Sequence, residues 1–112
     1  MTTPSIEAQL YEQLVFGLSL SRNYRHALLL NRPKQVEKHR ASIQTWVAHA
    51  HHEAVALIET HPSFLVVRYC DLLSKLIHQP LLPLTTGNYY TLIDTFEAQI
   101  HEVLHLFHHQ EH

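Results

Sequence analysis

Glycine is almost missing from this sequence: it occurs twice in 112 residues, and proline only five times. A many-stranded β fold needs turn residues at each chain reversal, and this scarcity excludes one. Cysteine occurs once, as Cys70. A lone thiol makes neither an internal disulfide nor a CxxC metal site, and it suits a reducing compartment. The first residues, Met1-Thr2-Thr3-Pro4-Ser5-Ile6-Glu7, lack the basic start and apolar run of a signal peptide. No segment approaches the ~18 uninterrupted apolar residues of a membrane span. The expected location is cytoplasmic, without membrane attachment. Charged residues are also sparse, at 16%, against 46% apolar. Such a chain buries enough surface to fold and is not disordered. Its length suits one domain, 1–112, with one core.

Histidine is what the sequence has in excess, with 12 residues. The formal charge is -2 with every imidazole neutral and +10 with all of them protonated. Histidine ordinarily titrates at about pH 6.5, so the net charge changes sign just below neutrality. Low net charge at neutral pH opposes self-association only weakly, and a second copy of the chain is one candidate partner.

Three breaks divide the chain: Asn31-Arg32-Pro33, Thr60-His61-Pro62-Ser63 and Gln79 to Asn88. Pro33 and Pro62 suit a first helical turn, with Asn31 a candidate N-cap, and two prolines and a glycine between 79 and 88 cannot continue a helix. The spacing predicts helices over 5–30, 33–60, 63–78 and 88–110. In the last, Ile93, Phe96, Ile100, Val103, Leu104 and Phe107 share about 100° of arc. The second aligns Val36, Ile43, Trp46, Val47, Ala50, Ala54, Leu57 and Ile58; the first aligns Leu10, Leu14, Gly17, Ser21, Tyr24 and Leu28. Gly17 and Ser21 on that stripe would admit a close neighbour. The third helix is apolar nearly all round, its polar stripe being Arg68, Asp71, Lys75 and His78, and such a helix sits centrally or at an interface. Short connections after the first and second helices make those neighbours antiparallel, and a ten-residue link, 79–88, precedes the last. The expected fold is an all-α, up-down-up-down four-helix bundle: a long helical hairpin, a shorter apolar helix and a C-terminal amphipathic helix. Cys70, Trp46 and Phe96 are expected in one core.

His101-Glu102-Val103-Leu104-His105 matches the HExxH zinc-protease pattern, in which two imidazoles one turn apart hold the metal and the glutamate polarises water. At this chain's own His and Glu frequencies, chance gives roughly 0.09 such matches. No glycine leads to a third ligand and no substrate-aligning strand is in view, so a peptidase is not expected. A milder reading keeps His101 and His105 as ligands of Zn²⁺ or Ni²⁺, with His108 and His112 on the same side and Asp94 or Glu97 a turn or two earlier. Consecutive helix residues point about 100° apart, so His49, His51 and His52 cannot converge on one ion unaided. Only Glu102/His105 gives a Glu-x-x-His pair, where a di-iron bundle needs two helices bearing one. No phosphate loop or nucleophile elbow occurs, and Cys70 lies opposite the Arg68/Lys75 stripe as a core thiol.

The charges are unevenly spread. Six of eight Lys/Arg residues fall between 22 and 40, opposed in that segment only by Glu37, and a bundle gathers them at one tip. Arg25, Arg32, Lys34 and Arg40 are the expected contacts for an acidic partner. Nucleic acid is the lesser alternative, because no aromatic platform accompanies them. Phe16 and Leu20 on the flank of the first helix, with Val55 on the second, leave apolar surface over. The function expected is non-enzymatic protein binding, as adaptor, chaperone, inhibitor or regulator, with no cofactor. Histidine-based transition-metal binding is the alternative, and anion binding at the tip the second.

Overall fold

The computed structural model describes residues 5–78 and 89–110. These residues form four α-helices and no strand: α1 (Ile6–Leu29), α2 (Pro33–Thr60), α3 (Phe64–His78) and α4 (Tyr89–Gln110). Each lies within a residue of its expected bounds, because the punctuation acts locally. Ser5 caps α1 by accepting from the Ala8 amide at 3.1 Å, and Ser63 does the same for the Val66 amide at 3.2 Å. Pro33 opens α2, where its missing N–H costs no intrahelical bond. The irregular link expected at 79–88 lies outside the described residues.

α1 packs against α2 and α4, and α3 against the same two, so α1 and α3 meet only lightly across the bundle. On the α1–α4 seam Tyr11 meets Phe107 with ring centroids 6.4 Å apart, and Arg25 meets Asp94 and Glu97. Numbers rise along α1 as they fall along α4. On the other seams His51 of α2 bonds Ser74 of α3 at 3.1 Å, and Arg68 of α3 approaches Glu102 of α4 at 3.6 Å.

The core is one cluster drawn from all four helices. All six α4 stripe residues are buried, as are Trp46, Cys70 and Phe96. The α1 stripe is wider than the sequence suggested, since Leu18 is buried and Leu20 is half-buried against the core. Leu20 is therefore not surplus surface, which corrects the expectation that paired it with Phe16. α1 has neighbours on two sides, and Leu18 lines the α4 side. Phe16, at 52% exposed, and Val55, at 44%, do stand clear of the core. So do Phe64 and Val67 of the apolar helix α3.

Candidate functional site

The turn between α1 and α2 is built by Asn31. Its φ of 53° is left-handed, a region an Asn tolerates better than most side chains. Around it the Arg32 amide donates to the Ala27 carbonyl at 3.2 Å and the Asn31 amide to Leu28 at 3.1 Å. That bond pair is a Schellman closure, satisfying carbonyls that end α1. Asn31 thus closes α1 rather than capping α2; the N-cap is Arg32, with no side-chain capping bond. The tight reversal throws the neighbouring side chains outward. Leu29 is 66% exposed and Leu30 47%, beside exposed Arg32 and Lys34.

Two of the four basic residues expected to serve a partner are engaged within the chain. Arg25 bonds Asp94 and, at 3.2 Å, Glu97, and hydrogen bonds to Asp94 first and Glu97 second raise its pKa. Arg40 donates to Glu37 at 2.8 and 3.0 Å and to Gln44 at 2.9 Å, all on its own helix. Arg22, Arg32, Lys34 and Lys38 are exposed and make no ion pair among the described residues. The free charge is smaller than the sequence tally. It is joined by Leu29 and Leu30, which a count of charges leaves out. A signal was present in Leu28-Leu29-Leu30: successive side chains 100° apart cannot all face one core.

The Arg25 pairing also reorders the histidine stripe. Asp94 and Glu97, the carboxylates considered for a metal, are held by Arg25, and Glu97 lies 2.9 Å from the buried Ser21 hydroxyl. His101 and His105 are exposed and line an open groove of about 490 Å³ between α1 and α4, together with Arg22. An arginine across a groove disfavours a cation there. Among the described residues no group of three or more His, Cys, Asp or Glu side chains could hold a metal ion. His108 and His112 lie outside the residues whose side chains are described. His49 pairs with Glu53 at 3.0 Å while His51 turns to Ser74, so that cluster diverges as its spacing implied.

Cys70 is buried, and burial, aided by the charge of Asp71, pushes its thiol pKa up. That suppresses the thiolate a nucleophile would need. Among the described residues no helix is long and apolar enough to cross a membrane. Comparison with family models, with curated proteins and with solved structures finds no match.

Proposed function

We propose that this chain is a protein-binding helical module, acting by docking rather than by catalysis, which seats an acidic partner on the α1–α2 tip. The observation that carries the reading is the pair of exposed leucines, Leu29 and Leu30, set beside the free cations of Arg32 and Lys34. Apolar anchors next to charges of one sign are what an acidic protein surface with its own apolar spot would recognise. The leucines supply affinity by leaving water, and the cations supply orientation and speed of encounter. The reading takes the bundle as up-down-up-down, which the falling pair numbers along α1 and α4 support, and the protein as cytoplasmic, in keeping with its single cysteine.

Affinity capture from the native host tests it, using the wild-type chain beside Leu29→Ser/Leu30→Ser. The reading expects a partner held by the wild type, weakened by salt, and lost by a variant that melts at the wild-type temperature. Equal recovery by both chains would refute it. Light scattering over a concentration series decides whether that partner is a second copy.

A further inference from the structure

The geometry points to a second copy of this chain as the partner of the tip, received by a pocket at the opposite end of the bundle. The inference rests on the tip-docking reading and names that surface's partner. The 24 residues of α1 span about 36 Å, within a bundle of 43 × 25 × 24 Å. The α1–α2 turn thus stands at one end of the long axis and the start of α1 at the other. At that start lies an open pocket of about 540 Å³. Buried Leu65 and Phe107 and half-buried Tyr11 floor it, and exposed Glu7, Ala8 and Glu12 edge it. The tip is convex and carries exposed Leu29 and Leu30 beside Arg32 and Lys34. Knob and pocket are each apolar at the centre and charged at the edge, with opposite signs.

Neither sign is offset nearby. At the tip, Glu37 is held by Arg40 and Asp94 by Arg25, and residues 79–93 contain no acid. At the pocket, Glu7 and Glu12 make no ion pair among the described residues. Glu7 sits in the first turn of α1, where the helix start offsets part of its charge; Glu12, a turn further on, lies beyond that reach. Apart from Arg68 and Lys75, every Lys and Arg lies between 22 and 40. Those two share one small cleft between α3 and α4 with Asp71 and Glu102, two charges of each sign. Tip against tip would set cations together, and pocket against pocket would set acids together, so the contact is head to tail. A contact between opposite ends does not close on two copies and extends into a string.

Light scattering of the full chain at about pH 8, above the ordinary histidine range, reads the assembly. The average mass of the wild type is expected to climb with concentration, past that of a dimer, and to fall with added salt. Leu29→Ser/Leu30→Ser blocks the tip and Ala8→Lys/Glu12→Lys the pocket, all at exposed positions. Each variant alone should associate about tenfold more weakly. Mixed in equal amounts, the two should form a pair and stop there, since one sound tip meets one sound pocket. Arg32→Glu/Lys34→Glu and Glu12→Lys repeat the mixing by charge alone, should either first variant melt early. A wild type that stops at a dimer, variants that associate as it does, or a mixture that stays monomeric would overturn the inference. So would a wild type monomeric at every concentration; if its capture of a host protein still needs Leu29 and Leu30, the tip reading survives. Equal capture by the wild type and Leu29→Ser/Leu30→Ser sinks the tip reading itself.

Discussion

The Trp46 indole fills the space in which a side chain at Gly17 would stand. A Cβ built at Gly17 would lie 2.5 Å from Cη2 and 2.8 Å from Cζ2 of the ring. The same indole donates to Gln13 at 3.1 Å and meets Phe96 edge-on with centroids 6.4 Å apart. One ring on α2 thereby joins α1 and α4. Gly17→Ala should gain up to ~1 kcal/mol of helix propensity and lose about 1–3 kcal/mol to overpacking and the displaced ring. The expected sum is destabilisation, read as a lower denaturant midpoint. Pairing it with Trp46→Leu should give less than the added losses, because the smaller side chain removes the clash.

Arg25 and Arg32 should separate cleanly. Arg25→Met leaves Glu97, whose side chain is only 23% exposed, without its cation. A loss of about 1 kcal/mol is expected, since the site is partly exposed and screened. Glu97→Gln should cost more than Asp94→Asn, whose side chain is 63% exposed. Arg32→Glu should leave the denaturation curve within error. Equal effects of Arg25→Met and Arg32→Glu would contradict the internal pairing.

Alkali should weaken the fold in two stages. Burial raises the pKa of Cys70 from an ordinary 9.0 and that of Tyr69 from an ordinary 10.0, with the charge of Glu53 adding to the Tyr69 shift. Both groups hold their protons more firmly folded than unfolded. Over that range the unfolded chain binds fewer protons, so stability falls as pH rises. The decline should begin above pH 9.0 and steepen above 10.0, with full stability below both. Tyr69→Phe should flatten the steeper part in denaturant titrations at stepped pH.

His101 and His105 supply two ligands, and two imidazoles hold Zn²⁺ only weakly. Calorimetric titration of the untagged chain and of His101→Ala/His105→Ala should give two weak isotherms with no tight phase in either, the remaining histidines supplying most of the weak binding. A tight site lost in the variant would restore the metal reading.

What was legible in the sequence was local. Pro33 and the Thr60-to-Ser63 break mark the helix bounds around them, and a 3.6-residue period on α4 names six buried residues. Gly17 was marked for a close neighbour, though not that a tryptophan ring would fill the space. What stayed hidden depends on partners far along the chain. Arg25 was counted as free because its segment holds few acids, whereas its carboxylates are 69 and 72 residues away. Leu20 was misplaced because one helical stripe cannot say that α1 has neighbours on two sides. Asn31 fits both a cap and a left-handed closure, and only the backbone bonds of Arg32 and Asn31 choose between them.

Hydrogen exchange on the full chain, alone and with the captured partner, tests the docking claim most directly. The account predicts added protection over residues 28–36, where Leu29, Leu30, Arg32 and Lys34 meet the partner, and loss of that protection in Leu29→Ser/Leu30→Ser. Protection confined to other residues, or unchanged by the double substitution, would contradict it.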